Sequence, residues 1–210
     1  PAPTATHTAS PTPSPDPAQL SLGGQVFFDL DNDGRFEAAD GEFGLSQVRL
    51  ALYRDSDASG GLSDGDERLA AASSAAAGSY RFGGLLPGAY LVAVEAPNFE
   101  ADGTLWDLQS SSGNDQAGQA PDPDDDQPDD DNGSALPDGV VASRSADLSA
   151  GQEPPAAVDG DDRDGNQTLG FGFVKRQTPT SLGIVGPQVA RLPGGAVRVA
   201  WSQLGPSEVL

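Results

Sequence analysis

The chain of 210 residues contains no cysteine and no methionine, and its single histidine is His7. The absence of cysteine excludes disulfides, thiolate metal sites and cysteine nucleophiles. A lone histidine among Pro and Thr residues also excludes zinc sites of the usual composition and Ser-His-Asp triads. Most of the common catalytic arrangements are thereby excluded, and we expect a protein that is not an enzyme.

Basic residues are scarce as well, because 11 Lys and Arg stand against 32 Asp and Glu, a formal net charge of −21. This charge repels phosphate backbones and anionic lipid, so we expect no nucleic-acid partner. No apolar run approaches the roughly 18 residues of a membrane-spanning helix, so we expect no membrane insertion in this segment. Aromatic residues make up 6%, while 27 Gly and 18 Pro are typical of an all-β domain with many turns.

The composition divides the chain into three predicted parts. Residues 1–22 form a Pro/Thr/Ser-rich segment without enough large apolar side chains to offset the entropy of ordering, and we predict a disordered linker or stalk. Residues 23–176 are predicted to form one β domain. All but one of the 32 acids lie between Asp16 and Asp164. Residues 177–210 carry two strand patterns around a Pro-Gly-Gly turn, which predicts the start of a second, truncated β domain.

Within the predicted domain, short alternating apolar patterns bounded by turn residues indicate about seven strands. They cover residues 25–28, 47–54, 79–82, 90–95, 104–107, 140–148 and 168–174. An Ala-rich stretch, residues 68–77, is the one pattern that resembles a helix. Short strands with frequent turns predict an all-β fold, an antiparallel immunoglobulin-like (prealbumin-like) sandwich with long acidic loops.

The strongest local pattern is an acidic loop over residues 29–42. Acids stand at loop positions 1, 3, 5 and 12 and a glycine at position 6, namely Asp29, Asp31, Asp33, Asp40 and Gly34. This spacing matches an EF-hand-type calcium loop, in which short carboxylates on alternate residues converge on one cation. The carbonyl oxygen of Arg35 would supply position 7. The closing acid is either Asp40, which has the EF-like spacing, or Glu42, which has the longer reach.

A second loop repeats this pattern more weakly over residues 55–66. Its positions 1, 3, 5, 6 and 12 are Asp55, Asp57, Ser59, Gly60 and Asp66. Ser59 brings a hydroxyl instead of a charge, for which Asp64 and Asp66 compensate. Because Asp and Gly are also common turn residues, a solvated turn is the alternative interpretation of each acidic loop.

A third acidic run places seven carboxylates within residues 122–131, and a fourth, smaller group covers residues 159–164. Like charges this dense either keep the chain extended or recruit cations. The candidate calcium ligands of the third run are Asp122, Asp124, Asp126 and Asp130. An alternative function is direct recognition of a protein or glycan through an apolar patch, for which Phe99, Leu105 and Trp106 are the candidates.

An ordered set of features from about Gly23 to Val174 resembles the SdrD B-like (SD-repeat B) domains of bacterial surface proteins, relatives of the Cna B-type and transthyretin-like sandwiches. The features are Val26-Phe27-Phe28-Asp29-x-Asp31-x-Asp33-Gly34, Gly41-Glu42-x-Gly44, Val48-x-Leu50-x-Leu52-Tyr53 before Asp55-x-Asp57, Gly78-x-Tyr80-x-Phe82, Leu86-Pro87-Gly88-x-Tyr90-x-Val92, Asp130-Asp131-Asn132-Gly133 and Gly170-Phe171-Gly172-Phe173. Their order and spacing together carry the resemblance.

The resemblance implies a non-catalytic calcium-binding module that acts as a stiff spacer in a secreted or cell-wall protein. It implies Asp29, Asp31, Asp33 and Glu42 as one site and Asp55, Asp57, Asp64 and Asp66 as another. The implied partners are calcium and neighbouring domains of the same polypeptide, with protein or glycan ligands bound through other domains. Some Cna B-type relatives carry a Lys–Asn isopeptide bond. Because the only lysine here is Lys175, at the end of the last strand, we expect no such cross-link.

Overall fold

The structure is a computed structural model that describes residues 19–112 and 121–176, together with the backbone of residues 184–191 and 197–203. The chain divides into two compact units, Pro1–Lys175 and Arg176–Leu210. Within the described residues, no helix has the length and apolar character needed to cross a membrane.

Two six-stranded sheets build the first unit. The first sheet contains β1 (Leu20–Phe28), β2 (Phe43–Gly44), β5 (Ser79–Leu85), β7 (Leu108–Ser110), β11 (Gly165–Asn166) and β12 (Phe171–Lys175). The second contains β3 (Arg49–Arg54), β4 (Glu67–Ser73), β6 (Gly88–Val94), β8 (Ser134–Ala135), β9 (Val141–Ala142) and β10 (Ala146–Leu148). One turn of α-helix, α1 (Ala156–Asp159), and two 3-10 turns, Ala38–Asp40 and Ala96–Phe99, lie in the connections.

Most strand pairs are antiparallel, as expected, but β1 lies in parallel beside the last strand of the domain. Val26 pairs with Phe171, and Phe28 pairs with Phe173. The backbones approach closely here, since a side chain on Gly24 would overlap the main chain of Leu169. Glycine is therefore required at this position, and the first and last strands of the domain are direct neighbours.

The hydrophobic core lies between the two sheets, and the predicted strand faces supply most of it. Leu50 and Leu52 of β3, Val92 of β6 and Phe171 and Phe173 of β12 are all fully buried. Deleting one such side chain down to alanine typically costs about 2–5 kcal/mol. The antiparallel sandwich predicted from the alternating patterns is thus confirmed.

Two predicted elements are wrong. Residues 68–77 do not form a helix, because most of that stretch is strand β4, which pairs with β3 at the sheet edge. An edge strand exposes one face, and its Ala residues are compatible with that position although they also favour helices. Residues 104–107 form turns, and the strand of this region is β7, which follows them.

Strand β1 begins at Leu20, so it starts inside the predicted linker of residues 1–22. Leu20 and Leu22 are completely buried, which explains why these residues belong to the domain. Residues 1–18 lie outside the described part of the chain. In the second unit, β13 (Ile184–Arg191) and β14 (Val197–Gln203) form an antiparallel pair. The three-part division of the chain otherwise stays a prediction.

Candidate metal centre

The first acidic loop leaves strand β1 and returns at strand β2. Its start is attached to the last strand, because the Asp29 amide donates to the Phe173 carbonyl oxygen (2.9 Å). One carboxylate oxygen each from Asp29, Asp31 and Glu42 lies within 4.8 Å of the other two. Asp31, Asp33 and Glu37 bring their oxygens within 4.8 Å of one another in a second group. Asp31 belongs to both groups, but Asp29 and Asp33 share neither, so the three alternate acids do not all meet at one point.

Asp29 shapes the loop around its own carboxylate. It is fully buried and accepts hydrogen bonds from the amides of Asn32 (2.6 Å) and Gly34 (3.0 Å) and from the Ser111 hydroxyl (2.6 Å). Asn32 and Gly34 have φ angles of 65° and 84°, so the chain bends through left-handed conformations at these two residues. This bend brings a carboxylate oxygen of Asp31 within 4.8 Å of one of Asp29.

Of the two acids that could close the first loop, Glu42 is the one that the structure places against Asp29 and Asp31. Its side chain is 6% exposed, and its two oxygens accept the amides of Leu30 (2.7 Å) and Glu37 (2.8 Å). Asp40 lies exposed in the 3-10 turn and belongs to neither carboxylate group. The longer reach of Glu42 thus outweighs the EF-like spacing of Asp40.

The carboxylates of the first loop crowd one another. The charge of Asp33 is the largest of several effects that raise the pKa of Glu37, and Asp40, Asp31 and Glu42 act in the same direction. Arg35 faces the third acidic run, where it pairs with Asp130 through an isolated β-bridge. Its guanidinium lies 3.8 Å from the Asp129 carboxylate in a half-exposed ion pair. A cation in the loop would relieve the remaining repulsion.

The second loop connects β3 to β4, and Asp55, Asp57 and Asp66 bring their carboxylate oxygens within 4.8 Å of one another. Asp55 accepts the amides of Ser59 (3.1 Å) and Gly60 (3.0 Å), which repeats the arrangement at Asp29. Hydrogen bonding from Ser59, and then from Ser63, lowers the pKa of Asp57. The ionised form is therefore favoured at this site.

The structure places the two uncertain ligands of the second loop differently. The Ser59 hydroxyl donates to the Gly61 carbonyl oxygen (2.8 Å), which leaves its oxygen lone pairs available to a cation. Asp64 is exposed and is not part of the carboxylate group. Asp66 instead braces the loop by accepting the amides of Ser56 (3.0 Å) and Ser63 (2.8 Å).

The structure splits the third acidic run between two places, so its four candidate ligands do not form a group like those above within the described residues. Asp130 is buried beside the first loop. Asp122 accepts the amide of Asp124 in a local turn (3.2 Å). Asp124 and Asp126 line a recess of about 320 Å³ together with residues that the sequence pattern did not indicate, namely Asp147, Ser149, Gln152, Glu153 and Asn166.

This recess favours protonated carboxyl groups. Desolvation, followed by the nearby charges of Asp147, Asp122 and Asp126, raises the pKa of Asp124 to about 6. Burial also raises the pKa of Glu153, with further contributions from Asp124 and Asp126. Glu153 lies more than 20 residues from the acidic run, and only the fold brings the two together.

The fourth acidic group is used for local structure. Asp161 forms an ion pair with Arg81 of strand β5 (2.9 Å). Asp159 accepts the amides of Asp161 (3.0 Å) and Gln167 (3.0 Å), as turn aspartates commonly do.

The proposed recognition patch is divided by the fold. Leu105 is completely buried, and Phe99 packs against the core with its ring 5.6 Å from that of Phe173. Trp106 is 57% exposed and is the member of the patch that faces solvent. Lys175 forms an exposed ion pair with Asp107 (3.4 Å) at the end of β12.

Comparison with known families gives a direct assignment. The model of the SdrD B-like domain matches residues 20–129, which is more than half of the chain. The chain belongs to the SdrD B-like domain family. The resemblance drawn from the sequence motifs is thereby confirmed, and the SdrD B-like domain is a structural domain of surface proteins. Comparison with curated proteins gave no match.

Solved structures similar to this SdrD B-like domain include Gram-positive pilins. The shaft pilin SpaA of Lactobacillus rhamnosus GG (E269A mutant) is 10% identical with a TM-score of 0.42, over 77% of this chain and 52% of the pilin. The major pilin SpaA of Corynebacterium diphtheriae is 13% identical with a TM-score of 0.38, over 82% and 33%. The minor pilin GBS52 of Streptococcus agalactiae is 14% identical with a TM-score of 0.35, over 78% and 47%. The chain thus spans between a third and about half of each pilin.

Proposed function

We propose that this SdrD B-like domain is a non-catalytic calcium-binding module that serves as a stiff spacer in a secreted or cell-surface protein. The observation that supports the proposal best is the convergence of Asp29, Asp31 and Glu42 at the ends of strands β1 and β2. Calcium would order these loops, and neighbouring domains of the same polypeptide would be the mechanical partners of the module.

The chemistry of the two loops favours a hard cation such as calcium over softer metals such as zinc or copper. The converging groups are carboxylates, and hard cations prefer such oxygen ligands. Calcium binds oxygen at about 2.3–2.6 Å, so two oxygens on one ion lie at most about 5 Å apart. The oxygens of Asp29, Asp31 and Glu42 meet this limit, as do those of Asp55, Asp57 and Asp66. Small adjustments of exposed Asp31 and Asp57 would complete the coordination.

The positions of the loops explain how an ion would stiffen the sandwich. In the first loop, Asp29 follows β1 directly and Glu42 precedes β2 directly, so an ion joins two strand ends of the first sheet. In the second loop, Asp55 follows β3 and Asp66 precedes β4, which gives the same arrangement in the second sheet. Without an ion the clustered charges push these ends apart.

An extracellular location fits this function. Extracellular calcium modules typically bind with a Kd of about 10⁻⁴–10⁻³ M, which is matched by millimolar calcium outside cells. At such a concentration, about one to ten times Kd, binding to the folded state alone adds about 0.4–1.4 kcal/mol. For a domain of this size, such a gain raises Tm by roughly 1–6 °C.

Calorimetric titration of the 210-residue chain with calcium tests the proposal. We expect binding heats that Asp31→Asn weakens, and a Tm that EDTA lowers and calcium restores. Asp102→Asn is the matched control, because Asp102 is an exposed aspartate outside the converging groups. A wild-type chain that shows no calcium heat and no change of Tm in EDTA would contradict the proposal.

A further inference from the structure

A short segment, residues 129–133, lies between the first acidic loop and strand β12, and residues 130–133 of it are buried. On the loop side, the Phe36 amide donates to the Asp129 carbonyl oxygen (2.6 Å). The Asp131 amide donates to the Gly34 carbonyl oxygen (2.8 Å). Gly34 is also the residue whose own amide binds the Asp29 carboxylate. The segment is therefore attached to the tightest part of the loop.

On the opposite side the same segment holds the last strand. One carboxylate oxygen of Asp131 accepts the amide of Gly172 within β12 (3.0 Å) and the amide of Gly133 (2.9 Å). Asn132 adds two bonds to Gly170, since its amide donates to the Gly170 carbonyl oxygen (3.0 Å) and its side-chain oxygen accepts the Gly170 amide (3.0 Å). Asp131 and Asn132 are 2% and 1% exposed.

We infer that Asp131 is a positioning residue that couples order in the first acidic loop to order in strand β12. Its main chain binds the loop and its side chain binds the strand, so a displacement of either one must move the other. This inference rests on the proposed function for the identity of the ion, but the hydrogen bonds on both sides of Asp131 are formed by protein atoms alone. Calcium in the loop would then protect the amide hydrogens of β12 from exchange.

Coupling of this kind is reciprocal. If calcium in the loop stabilises the attachment at Gly172, then loss of that attachment weakens calcium binding by the same factor. Asp29 offers a parallel connection, because its amide binds the Phe173 carbonyl oxygen and its carboxylate binds Ser111 beside β12. We therefore expect removal of the Asp131 side chain to weaken calcium binding about tenfold without abolishing it.

The test is backbone amide exchange of the full 210-residue chain, measured by NMR in EDTA and in calcium for Asp131→Ala and Asp131→Asn. In Asp131→Ala we expect Gly172 to exchange at least tenfold faster, while Val92 in the other sheet is unchanged. Asp131→Asn retains a side-chain oxygen that accepts both amides, so we expect Gly172 to stay protected. Asp138→Ala is the matched control, because Asp138 also accepts an amide two residues on, that of Val140, but at an exposed turn.

Calcium binding by the first loop is read from the Gly34 amide resonance in the same samples. A tenfold higher Kd in Asp131→Ala, with the wild-type value in Asp138→Ala, supports the coupling. Equal acceleration of Gly172 and Val92 would show a general loss of stability and would overturn it, as would an unchanged Kd at Gly34. If the wild-type chain binds no calcium, the proposed function fails, whereas the contrast between Gly172 and Val92 in EDTA still decides the role of Asp131.

Discussion

The substitution Glu42→Gln tests whether the Glu42 carboxylate is a calcium ligand or has a purely structural role. Glu42 is nearly buried and accepts two backbone amides, from Leu30 and Glu37. It also lies within 4.8 Å of oxygens from Asp29 and Asp31. Glutamine has almost the same shape, but it carries no charge and its amide nitrogen can accept neither backbone hydrogen.

Two opposing effects set the stability of Glu42→Gln without calcium. Loss of one hydrogen bond to a charged group costs about 1.5–3 kcal/mol. Removal of the charge relieves two repulsions, each about 3.5 kcal/mol at 4.8 Å and an effective dielectric constant of 20, before screening by salt. The relief is the larger effect. In EDTA we therefore expect the variant to melt no lower than the wild-type chain.

Calcium should stabilise the two chains by different amounts. At a hundredfold excess over the wild-type Kd, the wild-type chain gains about 2.7 kcal/mol, while a variant with a tenfold weaker site gains about 1.4 kcal/mol. Differential scanning calorimetry in EDTA and in calcium measures both gains. Asp40→Asn is the control, because Asp40 lies outside the carboxylate groups and should keep the full calcium gain. The reasoning is refuted if Glu42→Gln melts well below wild type in EDTA and retains the full gain.

Three further predictions follow from other parts of the domain. Because the folded chain raises the pKa of Asp124 from 3.8 to about 6, it binds more protons than the unfolded chain between these values. Stability in EDTA should therefore rise as the pH falls from 7 to 5, with about 1 kcal/mol coming from Asp124 after discounting for solvent screening. In melting scans Asp124→Asn should remove this contribution but leave that of Glu153, whose pKa is also raised. In urea unfolding, Leu105→Ala should lower the free energy of unfolding by about 2–5 kcal/mol, because Leu105 is buried. Trp106→Ala should lower it by at most about 0.5 kcal/mol, because Trp106 is exposed. Equal losses would contradict the conclusion that only Leu105 belongs to the core. Pulling the domain by its two ends loads the parallel strands β1 and β12 in shear. Single-molecule unfolding should therefore need a higher force in calcium than in EDTA. Equal forces would count against the spacer function.

Much of the fold could be predicted from the sequence, because a half-buried strand alternates apolar and polar side chains. Val48, Leu50 and Leu52 alternate with less apolar residues, and all three are buried as a single face predicts. The Ala-rich residues 68–77 resemble a helix in the sequence because alanine has high helix propensity, whereas the pairing of β4 with β3 is decided by distant residues. The parallel pairing of β1 with β12 also depends on a contact between the first and last strands of the domain, for which no local signal exists.

The first acidic loop could be predicted because its candidate ligands are close in sequence and the spacing itself sets the geometry. The choice between Asp40 and Glu42 could not be made, since it depends on where the 3-10 turn points each side chain. In the sequence, Asp131 is one acid in a charged run. Its two-sided attachment became visible only when Gly34 and Gly172 were brought together by the fold.

The excess of negative charge in the domain explains why a bound cation would stabilise the acidic loops. The chain has only 11 basic residues for its 32 acids, and the ion pairs Arg68–Glu95 and Lys175–Asp107 lie at the surface and include none of the converging carboxylates. Such exposed pairs contribute little to stability. Backbone amides partly satisfy Asp29, Glu42 and Asp55, but amide dipoles do not cancel whole charges. A divalent ion can cancel them, and because the loops join strand ends, the same ion that neutralises the charge would also stiffen the sandwich.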